Sequence, residues 1–101
     1  MVVEDWWSSW PSATAPYAVL LGLLVDGRVT GQEFEVVFLS LYKQDPTDWP
    51  EDIFGVLDAF FADVDDYSPD PAIRTEAGGI DEPELRRRAA EALKRLSAIV
   101  A

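Results

Sequence analysis

Apolar residues recur at helical spacing in four separate stretches of the chain. Tyr17, Leu20, Leu21 and Leu24 share one face of a first helix, expected from about Ala15 to Val25. Pro16 suits its first turn, and Asp26-Gly27 is the turn that ends it. Thr30-Gly31-Gln32-Glu33 is a capping box, so a second helix starts at Thr30. Phe34, Val37, Phe38 and Leu41 form its apolar stripe, and Asp45-Pro46 stops it. A third helix opens near Asp48 or Trp49, with Pro50 in its first turn and Glu51 and Asp52 at the positive end of its dipole. Ile53, Val56, Leu57, Phe60, Phe61 and Val64 give it the clearest amphipathic pattern in the chain. Residues 65–80 read as a loop, because Pro69, Pro71 and Gly78-Gly79 interrupt regular helix. A fourth helix opens with Asp81-Glu82-Pro83-Glu84. Its core face holds Leu85, Ala89, Ala92, Leu93 and Leu96, then Ile99 or Val100.

No stretch alternates with period two for long enough to suggest a sheet. Four helices with short connections predict an all-α protein, an antiparallel four-helix bundle, in one domain over residues 1–101. Residues 1–14 are expected to form an arm. Its Trp6, Trp7 and Trp10 either cap one end of the core or offer an aromatic patch to a partner or a second copy. The longest apolar run, residues 15–25, is too short for a bilayer, and the residues before it include Glu4 and Asp5 but no base. It is therefore read as a core helix of a cytoplasmic protein with no membrane contact.

Composition sharpens this picture. Hydrophobic residues make up 49% of the chain, enough for one modest core. Cys and His are both absent, which removes disulfides, the commonest general base and the commonest metal ligand. The net charge is −11, and residues 45–82 alone account for that amount, with Arg74 as their one base. Such a surface repels nucleic-acid phosphates and attracts basic proteins. A solubilising surface usually mixes signs, and a concentration of one sign costs stability through self-repulsion.

The candidate chemistry is narrow. Asp63-Val64-Asp65-Asp66-Tyr67-Ser68-Pro69-Asp70 invites a calcium reading. Counted from Asp63, however, Tyr67 and Ser68 occupy the fifth and sixth loop positions, where calcium needs an oxygen ligand and a glycine. Neither a metal nor a cofactor is expected. Carboxylates are plentiful, but no nucleophile–base constellation or phosphate loop accompanies them, so no enzyme is expected. Arg86, Arg87 and Arg88 point to three sides of a helix and cannot form one basic face. They are expected to be solvated or ion-paired, some of them to the acidic loop.

Three pieces of the chain, in order, carry a resemblance. The first is a short leading helix followed by Gly27-Arg28-Val29-Thr30 and Glu33-Phe34. The second is Phe60-Phe61 followed by Val64-Asp65-Asp66-Tyr67-Ser68-Pro69-Asp70-Pro71. The third is Ile80-Asp81-Glu82 leading into Leu85-Arg86. From about Tyr17 to Leu96 the chain resembles the bacterial self-protective, colicin-like immunity proteins, the group that includes the colicin D immunity protein. The Trp-rich residues 1–11 depart from that pattern. The resemblance implies a small antiparallel four-helix bundle that binds the basic nuclease domain of a cognate bacteriocin or contact-dependent toxin. In the tRNA-cleaving case, acidic side chains fill the toxin's active site and imitate RNA phosphates. By position it implies contacts at Asp65 and Asp70. Asp63 and Asp66 join them on charge, and Tyr67 as the residue between, to make the expected partner-binding set. The chain itself is expected to be a monomer or weak dimer that contacts no nucleic acid directly. The alternative is an acidic mimic or adaptor for another basic protein.

Overall fold

The computed structural model describes residues 9–100, with the side chains of 9–12 and 77 outside that description. Trp6 and Trp7, and the side chain of Trp10, therefore lie outside the described residues. The described chain is all-α, with five helices: α1 (Ser9–Val25), α2 (Gly31–Gln44), α3 (Glu51–Asp66), α4 (Pro71–Ala77) and α5 (Glu82–Val100). α5 packs against α1 and α3, and α1 also packs against α2.

Several sequence expectations need correction, the first two about where helices lie. The first concerns the arm: α1 begins at Ser9, so residues 9–14 are helical and Pro16 sits inside the helix rather than in its first turn. Pro16 is exposed, so the carbonyl that its missing N–H leaves unpaired one turn back can be met by water. The second is that the expected loop contains α4. The residues read as breakers are its start and stop signals. The Asp70 carboxylate accepts from the Ala72 N–H, Pro71 occupies the first turn, and Gly78 ends the helix at φ 73° in the left-handed region. Seven residues are too few to reveal a helical period.

Elsewhere the local signals act as read. α1 ends in a Schellman motif: Arg28 N–H donates to the Leu23 carbonyl and Gly27 N–H, at φ 74°, to that of Leu24. The capping box at Thr30 and Glu33 closes both ways, at 3.1 and 2.8 Å. Asp81 Oδ1 accepts from Glu84 N–H at the start of α5. An exception is α3, which starts later than expected: Pro50, at ψ 153°, is its non-helical cap rather than part of its first turn, and Asp48 and Trp49 lie before the helix.

The core gathers Tyr17, Leu21 and Leu24 from α1, Phe34 and Phe38 from α2, Ile53, Leu57, Phe60 and Val64 from α3, and Leu85, Ala89 and Leu96 from α5. Fully burying each large side chain contributes roughly 1.5–3 kcal/mol. Phe34, Phe38 and Tyr42 recur every fourth residue of α2 and stack at 5.5 and 5.9 Å. That ladder sets the buried face, and it leaves Val37, expected on the stripe, 51% exposed. Phe60 meets Phe34 and Phe38 edge-on at 5.8 and 5.3 Å, tying α3 to α2.

Candidate functional site

α3 carries the acidic segment to its C-terminal end. Asp63, Asp65 and Asp66 occupy its last turn, Tyr67 follows as the cap, and Asp70 opens α4. The segment is clamped from below. Ile80 N–H donates to the Asp66 carbonyl at 2.9 Å and Ser68 N–H to the Ile80 carbonyl at 3.1 Å, forming a short parallel bridge. Gly79 permits this approach, since a Cβ there would lie 2.6 Å from the Asp66 carbonyl oxygen. Arg74 Nη1 donates to the Ser68 carbonyl at 2.6 Å, so the lone base of this region serves the backbone.

The five expected site residues separate into three kinds. Asp65 and Asp66 are exposed, and no ion pair reaches them among the described residues. Asp70 is exposed too, but its carboxylate caps α4. Asp63 is half-buried and holds Arg88 at 2.8 Å. Tyr67 is only 6% exposed and belongs to the core. Its ring lies against Gly31. Burial raises its phenol above the usual value, and the charges of Glu82 and Glu35 add to that. The signal for this was present in the sequence, because Tyr67 extends the stripe of α3 by three residues beyond Val64.

Glu35 of α2 was not singled out from the sequence, yet it belongs to the same surface. It is half-buried; burial raises its carboxyl above the ordinary carboxylate value, and the charge of Asp65 pushes the same way. Further along, burial raises the phenol of Tyr42, with the charges of Asp58 and Asp45 next. Glu35 thus lies near Asp65, and Tyr42, seven residues later, near Asp58, seven residues earlier. α2 and α3 therefore run in opposite directions here, and the acids line their shared side.

The three consecutive arginines of α5 are occupied elsewhere. Arg86 donates to Glu82 at 2.8 Å and to the Leu24 carbonyl at 3.0 Å, joining α5 to the end of α1. Glu82 in turn accepts from the Gly31 N–H at 2.5 Å, a remote cap for α2. Arg87 and Arg88 both bond Glu84, and their hydrogen bonds pull its carboxyl down to about 2. Arg88 also reaches Asp63, so one arginine of the run does hold the acidic segment. Among the described residues, no group of three acids converges as a metal site, and no helix is long and apolar enough to cross a membrane.

A sequence-family model described as bacterial self-protective colicin-like immunity matches residues 13–96. No curated protein and no solved structure matches the chain. The matched span takes in most of α1, the capping box, the acidic end of α3 and the paired arginines of α5. The chain belongs to the bacterial self-protective colicin-like immunity family.

Proposed function

We propose that, within a family whose members inhibit bacteriocin toxins, this protein blocks a toxin nuclease of the tRNA-cleaving type by laying carboxylates over its basic active site. One observation carries the reading: the consecutive arginines of α5, Arg86, Arg87 and Arg88, are tied to Glu82, Glu84 and Asp63, whereas Asp65, Asp58 and Glu35 on the α2–α3 side, with exposed Asp66 next to Asp65 in the chain, have no counter-ion among the described residues. An unneutralised row of carboxylates on helices presents charge at fixed spacing, as a phosphate backbone does. It also steers a basic partner into encounter. The scaffold is read as an antiparallel four-helix bundle of α1, α2, α3 and α5, with α4 added in the loop. Asp65, Asp66 and Asp70 make contact, while Asp63 and Tyr67 set the segment's position from beneath. The protein acts in the cytoplasm as a monomer or weak dimer, without chemistry of its own.

The test is co-expression with the toxin encoded directly upstream, followed by purification and an RNA-cleavage assay. A one-to-one complex that suppresses cleavage in proportion to the inhibitor added is the expected result. Loss of toxin activity at far below equimolar inhibitor would mean catalysis and overturn this reading. Capture of a DNA-binding protein instead would favour the broader mimic.

A further inference from the structure

We propose that a pocket at the turn between α2 and α3 receives the side chain of an arginine or lysine from the partner. The pocket is a cavity of about 280 Å³ lined by Tyr42, Asp45, Thr47, Asp48, Trp49 and Phe54. That is smaller than the roughly 300–1,000 Å³ of small-molecule sites, and suits one long side chain. Three aromatic rings and two carboxylates are the combination that recognises an organic cation. Ring faces attract the charge, and a carboxylate accepts its N–H groups.

Two further features favour a cation. Phe54 is 47% exposed and makes no ring contact among the described residues, although it stands in a chain rich in aromatic pairs. Asp45 is fixed in place: Tyr17 donates to its Oδ2 at 2.7 Å, and Thr47 donates to its Oδ1 through both N–H and hydroxyl, at 2.9 and 2.5 Å. Burial works against its charge, but those hydrogen bonds outweigh it and hold the carboxyl below its ordinary value. No ion pair reaches Asp45 or Asp48 among the described residues. The negative charge is therefore oriented in advance, with no cation to satisfy it among the described residues.

The pocket also continues the acidic row. Asp58 lies near Tyr42 as Asp65 lies near Glu35. From Asp65 to Phe54 along α3 is roughly 16 Å at 1.5 Å per residue. One standard interface, about 800 Å² on each partner, spans both. The inference deepens the proposed function, and it rests on that reading only in requiring a basic partner.

The experiment starts without any partner. Argininamide is titrated into the protein while ring protons of Tyr42, Trp49 and Phe54 are followed by NMR, with the neutral citrullinamide as control. The expected result is saturating shifts in those rings with argininamide only. Binding should be at least about tenfold weaker in Phe54→Ala plus Asp48→Asn, a variant that touches only exposed side chains and is checked for folding by circular dichroism. Ring shifts that are absent, that citrullinamide reproduces, or that survive unchanged in the variant would overturn the proposal. With the cognate toxin the same variant should lose at least about tenfold in affinity, and undiminished affinity would remove the pocket from the interface. If Asp65→Asn plus Asp70→Asn binds the toxin normally while argininamide still saturates the rings, the pocket stands and the placement of the main contact falls.

Discussion

The ring of Tyr67 closes on the backbone of Gly31, so tightly that a Cβ on that residue would lie 2.6 Å from both Cζ and the phenol oxygen. Gly31 also donates its N–H to Glu82. A glycine at the first position of α2 thus joins the end of α3 and the start of α5, and fixes the acidic segment relative to α2.

Gly31→Ala should consequently destabilise the fold, against the usual trend for glycine in a helix. Overpacking of this kind costs about 1–3 kcal/mol, and each kcal/mol lowers the melting temperature of a domain this size by about 4–8 °C. Gly55, inside α3, has no atom within 4 Å of where its Cβ would stand, so Gly55→Ala should stabilise by roughly 0.5–1 kcal/mol. Thermal melts of the two variants should move in opposite directions. A common direction would contradict the joint.

A second expectation concerns pH. Hydrogen bonds from Thr47 and Tyr17 hold the Asp45 carboxyl below its unfolded value despite burial. Its ionised form therefore stabilises the fold above about pH 4, and that contribution disappears as pH falls through the lower folded value. Tyr17 is shifted the other way: burial and its bond to Asp45 push the phenol far up, so its contribution is intact below about pH 10 and is lost above it. Tyr17→Phe should cost about 1.5–3 kcal/mol at neutral pH, as loss of a hydrogen bond to a charged group. It should also flatten the stability profile at both ends, which denaturant melts from about pH 3 to 10.5 would reveal.

Much of this fold was legible in the sequence, because its signals are local. The capping box at Thr30, the stripe of α3 and the arginines of α5 each depend on residues within four positions of one another. What escaped depends on distant partners or on length. Pro16 reads as a helix start, yet α1 continues through it from Ser9. α4 is too short to show a period. Glu35 gains its place only from Asp65 across the helix pair, and although Tyr67 extends the stripe of α3, the Gly31 backbone it closes on lies 36 positions away.

Salt should act on stability and on association in different ways. Screening weakens repulsion between exposed like charges such as Asp65 and Asp66, so about 0.3 M sodium chloride should raise the melting temperature or leave it unchanged. The same salt should slow association with the toxin, because opposite fields no longer steer the encounter. Stopped-flow rates at low and high salt would test the second part, and a salt-independent rate would argue against electrostatic capture.

The most direct measurement is the calorimetric affinity of two charge-matched variants for the purified toxin domain. Asp65→Asn plus Asp70→Asn removes two charges from the acidic segment, and asparagine at position 70 can still cap α4. Glu51→Gln plus Glu91→Gln removes one charge from α3 and one from α5, where Glu51 lines a cavity with Arg95 and Glu91 lines another with Arg87, Arg88 and Arg95. Close interfacial charge pairs couple by about 1.5–7 kcal/mol, and each 1.4 kcal/mol is tenfold. The first variant should therefore bind at least about 100-fold more weakly than the parent, and the second nearly as tightly as the parent. Parental affinity in the first variant together with a loss in the second would contradict the account and move the interface to the α3–α5 side.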